Sequence, residues 1–196
     1  MPAKKPVVGV LALQGDFEAH QRALEHAGAE AREVRTPADL DEVDGLILAG
    51  GESTTMLELM EREQLFEPLR RFGAEKPVFG TCAGTILLAS EVLHPAQPSL
   101  GLMDLTVERN GYGRQIDSCI AEIDVEGHAA EAVFIRAPVI RRVGAQAKIL
   151  ASYSGTPVLV EQGNHLTATF HPELSDTNEI HSRFVEKVTS RCCAKT

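Results

Sequence analysis

Three stretches in the first half of the chain share one pattern: a short apolar run, a turn of small residues, then an amphipathic segment. They are VVGVLAL into QGDFEAHQRALEHAG, DGLILAGG into ESTTMLELMEREQ, and KPVFGT into CAGTILLASEVL. An apolar run without polar alternation suits a strand buried on both faces, and such a strand needs helices to cover it. Parallel neighbours are joined by crossovers, and each amphipathic segment supplies one. The pattern therefore predicts an α/β fold of three layers, with a mainly parallel central sheet and helices on both faces.

Local signals agree. Phe17, Leu24 and Ala27 stand near helical spacing, Asp16 is placed to cap that helix, and Gly28 to stop it. Ser53 can open the second helix. After Pro98 the character changes: LTVERN, SCIAEIDVEG, AVFIRAP, AKILASY, TPVLVEQG and HLTATFHPE read as strands with little helix between them, an antiparallel extension of the same sheet. DTNEIHSRFVEKV reads as a closing helix, with Asp176 and Glu179 spaced like a capping box. No linker or internal repeat interrupts the chain. A single domain over residues 1–196 is expected, with a frayed tail from about residue 190.

Composition excludes whole classes of function. A chain of 196 residues with 43% hydrophobic content can bury one ordinary core. A net charge of -9 without a basic stripe speaks against tracking a phosphate backbone, so no nucleic-acid partner is expected. No apolar stretch reaches the roughly 20 residues of a membrane span. The N-terminal apolar run stops at Gln14 with no small-residue cleavage site after it, so it reads as a first strand rather than a secretory leader. Cys82, Cys119, Cys192 and Cys193 form neither a disulfide framework nor a zinc pattern, which fits a reducing, cytoplasmic setting. His20, His26, His94, His128, His165 and His181 show no metal-ligand spacing and read as surface or structural residues. No metal or cofactor is expected.

The chemistry starts at Cys82. In an open α/β sheet, ligands sit at the carboxyl ends of the strands, and Gly80-Thr81-Cys82-Ala83-Gly84 lies at such an end. It is the cysteine version of a nucleophile elbow, a tight strand-to-helix turn that pushes one side chain into the site. A helix opening beside the sulfur would favour thiolate over thiol. The competing reading is a buried small hydrophobe, as free cysteines often are.

A cysteine used for acyl transfer needs a base, and the base needs an orienting group. His171 and Glu173 are two apart, so in an extended segment both point to one face, and Pro172 biases His171 toward that conformation. A surface His-Pro-Glu turn is the alternative. LAGGEST, residues 48–54, closes another inner strand. Its glycines allow a ligand close to the backbone, and the N–H groups of Gly51 and Ala83 are placed to form an oxyanion hole. A phosphate cradle is the weaker reading, because the P-loop lysine is missing and Glu52 would repel phosphate. Ordinary turn glycines remain a further one.

In this order, GGES, GTCAG and HPE resemble the class I, triad, glutamine amidotransferases and, among them, the glutaminase subunits of pyridoxal 5′-phosphate synthases. The resemblance runs from GVLALQGDFEAH through EVDGLILAGGESTTM, PVFGTCAGTILLA, GLMDLTVERNGYGRQIDS and VFIRAP to FHPEL, nearly the whole chain. It implies that L-glutamine is hydrolysed to glutamate and ammonia through a thioester on Cys82, with His171 moving protons, Glu173 orienting it, and Gly51 and Ala83 holding the oxyanion. It further implies glutamine contacts at Gly50, Gly51, Glu52, Arg109, Ile135 and Arg136, and a separate (β/α)8-barrel synthase subunit that receives the ammonia. Without the resemblance, Arg109 and Arg136 read as surface ion-pair residues. The resemblance also puts Leu13-Gln14-Gly15 near the active site and the docking face.

Ala49 departs from the family's usual proline before GGES, which removes no reacting group. A cysteine peptidase or hydrolase on a related elbow would share Cys82 and His171 without needing the arginines. A binding module with a dead site is the alternative from another class, and the intact Cys-His-Glu set speaks against it.

Overall fold

The computed structural model describes residues 5–109 and 118–193. The first half runs β1 (Val7–Leu11), α1 (Phe17–His26), β2 (Glu30–Val34), β3 (Gly45–Leu48), α2 (Ser53–Arg62), α3 (Phe66–Glu75), β4 (Val78–Thr81) and α4 (Ala83–Leu88). The second half holds β5 (Ala89–Leu93), β6 (Met103–Glu108), β7 (Ser118–Val125), β8 (His128–Ile135), β9 (Val139–Val143), β10 (Lys148–Tyr153), β11 (Thr156–Gln162), β12 (His165–Ala168) and α5 (Glu179–Cys193).

A seven-stranded sheet in the order β10-β11-β12-β4-β3-β1-β2 forms the middle layer. From β12 to β2 every neighbouring pair is parallel, while β11 is antiparallel to both β10 and β12. Alternate residues feed two cores, as the pleat requires. Leu46 and Leu48 of β3 pack with Met56, Met60 and Leu69 of α2 and α3 on one face. On the other, Ile47 packs with Leu24 of α1 and Phe184 and Val188 of α5. The three-layer α/β expectation stands, with its antiparallel extension confined to β10 and β11.

The rest of the second half departs from that expectation. β12 belongs to the parallel set, β5, β6 and β9 make a separate three-stranded sheet, and β7 and β8 pair as an isolated hairpin. The helix expected through Leu93 ends at Leu88. Its last carbonyls, those of Leu87 and Leu88, accept the backbone N–H groups of Leu100 and Leu102 at 2.7 and 3.0 Å. The chain then pairs with β6 instead of continuing the helix, so tertiary pairing overrides a local helical preference.

Asp16 does cap α1, accepting the Ala19 N–H at 3.2 Å, and Gly28 follows the helix at a φ of 88°. The closing helix has no box at Asp176. It begins at Glu179, with the Ser182 N–H donating to the Asn178 carbonyl at 2.9 Å. The Asn178 side chain donates to the Ala23 carbonyl at 2.9 Å and so ties α5 to α1. Helix continues through residues 190–193, where the sequence suggests a loose tail. Three elements lack an expectation: β2, α3 and β9. In β2 only Val34 is buried, while Arg32 pairs with Glu30 and Glu42, and Glu33 with Arg35 just past the strand, all in solvent. An edge strand of this kind carries no apolar run to betray it.

Candidate active site

Inner strands of the parallel sheet deliver the first parts. β4 runs directly into Cys82, whose φ of 48° and ψ of -104° lie outside the regions a residue with a side chain favours. The turn is held from both sides. The Cys82 N–H donates to the Ala168 carbonyl at 2.8 Å, and the Cys82 carbonyl accepts the Thr85 N–H at 3.0 Å to start α4. The turn also needs bare backbone: a Cβ on Gly80 would stand 2.6 Å from the Gly84 carbonyl carbon, and one on Gly84 2.1 Å from the Leu48 oxygen. The flanking glycines of the elbow are thus packing requirements.

β3 opens into Gly50 and Gly51. A Cβ on Gly50 would lie 2.5 Å from His171 Cε1 and 3.4 Å from the Cys82 Cβ, so this backbone runs against the imidazole. Glu52 then caps α2, accepting the Thr55 N–H at 2.7 Å, and also accepts from Arg109 Nη2 at 2.9 Å. The same Arg109 nitrogen donates to Thr54 Oγ1 at 2.9 Å. Partial burial works against the Glu52 charge, yet hydrogen bonds from the backbones and hydroxyls of Thr55 and Thr54 outweigh it and hold the carboxyl below its usual value. Gln14, in the turn after β1, reaches the same loop, its Oε1 accepting the Glu52 N–H at 2.9 Å.

The second half supplies the candidate base. His171 follows β12, and its N–H donates to the Val133 carbonyl of β8 at 2.8 Å. The segment is not extended as expected. Pro172–Leu174 form a 3-10 turn with proline at its start, and within it His171 Nδ1 meets Glu173 Oε1 at 2.7 Å. The pairing matches the expectation although the backbone that creates it differs: proline at the first helical position favours a turn. Glu173 is almost wholly buried behind the imidazole, with its side chain 1% exposed. Burial pushes the His171 imidazole down, but hydrogen bonds and charge from Cys82 and Glu173 prevail and raise it to about 10.

All these pieces meet in one cleft. It is lined by Gly51, Glu52, Cys82, Ala83, Arg109, Ile135, Arg136 and His171, each singled out in the sequence, together with Gln14 and with Ser53, Ile86 and Pro138. Gly50 sits beneath His171 at its edge. At about 330 Å³ the cleft is at the small end for a ligand site, a size for one amino acid rather than a peptide. Ile135 ends β8 with its carbonyl 3.9 Å from Cys82 Sγ, and Arg136 holds a φ of 43°, a strained turn that aims it into the cleft.

Residues 10–190 match the SNO glutamine amidotransferase family. The chain belongs to that family. Within the family's reach, it is 57% identical to the pyridoxal 5′-phosphate synthase subunit PdxT of Solibacter usitatus, over 92% of this chain and 98% of the relative. It is 50% identical to the PdxT of Koribacter versatilis, over 92% and 95% respectively. A solved glutamine amidotransferase superposes with a TM-score of 0.88 at 45% identity, covering 93% of this chain and 98% of its own.

Sequence reasoning missed part of what stands around the family's cysteine. His20 and His181, read as surface or structural, are fully buried behind His171 and Glu173. His20 lies in α1 and His181 in α5, and each looks like one polar residue on an otherwise ordinary helix. Ser53, read only as the opener of α2, and Ile86 and Pro138, which lie in motif stretches with no role assigned, line the cleft as well. Among the described residues no helix is long and apolar enough to cross a membrane.

Proposed function

We propose that this glutamine amidotransferase hydrolyses L-glutamine through a thioester on Cys82 and hands the ammonia to a separate synthase subunit that makes pyridoxal 5′-phosphate. The observation that carries the reading is the meeting of a strained Cys82 turn with a buried His171–Glu173 pair in one small cleft.

The steps follow from the groups present. The Cys82 thiol proton passes to His171 as the sulfur attacks. The sulfur adds to the side-chain amide carbon, and the N–H groups of Gly51 and Ala83 take the oxyanion. As the C–N bond breaks, His171 gives its proton to the departing nitrogen, and ammonia leaves. Neutral His171 then takes a proton from water, whose oxygen adds to the thioester carbon. The C–S bond breaks, glutamate departs, and the sulfur is regenerated. Arg109 and Arg136 suit an α-carboxylate, and Glu52 an α-ammonium. Gly50 brings backbone close enough to fix the substrate against His171.

The partner in this reading is a (β/α)8-barrel subunit, and the setting is the cytoplasm, with no nucleic acid or membrane involved. The names of the relatives, each a subunit of pyridoxal 5′-phosphate synthase, support a synthase partner. The test is glutamate release from glutamine with and without that synthase subunit, using Cys82→Ala as blank. Release that rises with the partner and vanishes in the variant is expected. Full release by Cys82→Ala would refute the nucleophile, and turnover indifferent to the synthase would refute the partner.

A further inference from the structure

Behind the triad lies a second set of buried polar groups that the reaction does not consume. Glu173 spends Oε1 on His171, leaving Oε2 buried and without a well-formed hydrogen bond among the described residues. The ion-pair contact of that oxygen is His20 Nε2, at 3.3 Å, with both side chains sealed from solvent. His20 Nε2 also lies 3.1 Å from Thr81 Oγ1, and its Nδ1 lies 2.9 Å from His181 Nε2. Three elements, α1, the end of β4 and α5, thus converge on the back of one carboxylate.

The tautomers can be assigned by elimination. With the proton on His20 Nε2, the N–H donates to Thr81 Oγ1 while Glu173 Oε2 lies 3.3 Å from the same nitrogen, and Nδ1 accepts from His181 Nε2–H. His181 Nδ1, which has no partner among the described residues, is then a bare lone pair. The opposite tautomer would aim a lone pair at the carboxylate and leave a buried N–H on His181 unanswered, the costlier fault. Neither ring competes with His171 for the positive charge. Burial, then the charges of His181 and His171, lowers His20 well below its ordinary value, and burial lowers His181 to about 4.

We propose that His20 is a positioning residue of the reaction: its protonated Nε2, anchored on Thr81, steadies the second oxygen of Glu173 through their 3.3 Å polar contact, and His181 locks His20 in the tautomer that can do so. This rests on the triad reading above. A carboxylate held at one oxygen only is free to swing about its terminal bond, and a misaligned imidazole is expensive in the transition state.

The experiment has two arms. In the unaltered chain, a long-range proton–nitrogen correlation on histidine-labelled protein at neutral pH should show His20 neutral and protonated at Nε2. An Nδ1–H tautomer, or an imidazolium, overturns the proposal. In the second arm, glutamate release with the synthase subunit is compared across substitutions. His20→Leu should lower kcat about tenfold to a hundredfold with KM nearly unchanged. His20→Gln puts an N–H where Nε2 was and should recover most of that loss. His20→Asn matches Nδ1 instead and should not, so equal kcat in the Gln and Asn variants overturns the proposal even if the Leu variant does not fold. Glu173→Gln runs beside them. Wild-type turnover there would sink the triad itself, whereas its loss alongside wild-type kcat in a folded His20→Leu would sink only the role of His20.

Discussion

The half of the chain that carries Cys82, the proposed nucleophile, and the half that carries His171, its proposed base, are built on different principles. Up to α4, strands pair in parallel with neighbours joined by helices, and the reacting backbone sits in turns directly after β1, β3 and β4. Beyond α4, short strands sort themselves among the central sheet, a three-stranded sheet and a hairpin, and the contributing residues come from the ends of β6, β8 and β12. The first half makes a site from turn geometry, the second from long-range placement. A substitution in the first should fail by collision and one in the second by lost charge or alignment.

The largest effect that sharpens this contrast is expected at Glu173, from the second half. Glu173→Gln keeps the volume but removes the charge that holds His171 as imidazolium, and kcat should fall by about a thousandfold with the fold intact by circular dichroism. Next comes Gly50→Ala in the first half. Its Cβ must displace the imidazole that would stand 2.5 Å away, and a loss of about a hundredfold in kcat/KM is expected. Near-normal kinetics there would mean the loop has slack the packing does not show. If Arg109 binds the α-carboxylate as proposed, Arg109→Ala should act on KM more than kcat, raising it about tenfold or more, because a charged hydrogen bond is then lost in ground and transition state alike. A pure kcat defect would break the assignment of Arg109 to binding.

The smallest effect is in the pH dependence of stability. His171 is raised to about 10 from an ordinary 6.5, so the folded state holds a proton the unfolded chain releases. Its contribution is full below 6.5 and lost as pH climbs through about 10. The buried pair works in the opposite sense. His20 and His181 are lowered, the latter to about 4, so the unfolded chain binds protons the folded one refuses, and stability drains as pH falls from 6.5 through about 4. Thermal melts across that range should flatten on the alkaline side in His171→Gln and on the acid side in His181→Leu. An unchanged alkaline limb in His171→Gln would contradict the ion-pair account.

The same division explains what could be read from the sequence. The turns at Cys82, Gly50 and Gly51 are legible because their geometry is local: a turn that needs small residues shows them in a row. The contact of His171 with Glu173 is legible from their spacing of two residues, although that spacing suggests an extended segment where the chain makes a turn, since proline is at home in both. The partition of β5 through β12 was not legible, because alternation marks a strand without naming its neighbour. The end of α4 was hidden for a related reason: ILLASEVL has helical spacing, and only the backbone of Leu100 and Leu102 stops it. His20 and His181 are 161 positions apart in sequence, and no local pattern brings them together.

That stop bears on the mechanics of the nucleophile. The segment carrying Cys82 is bolted at its front to β12, through Ala168, and at its rear to the loop before β6, through Leu100 and Leu102. It behaves as a bracket spanning two sheets, with the sulfur near one bolt. A strain introduced around residues 99–102, which line no part of the cleft, would be transmitted along six helical residues to the turn at Cys82. Rigidity at the reacting atom is therefore borrowed from a loop with no chemistry of its own.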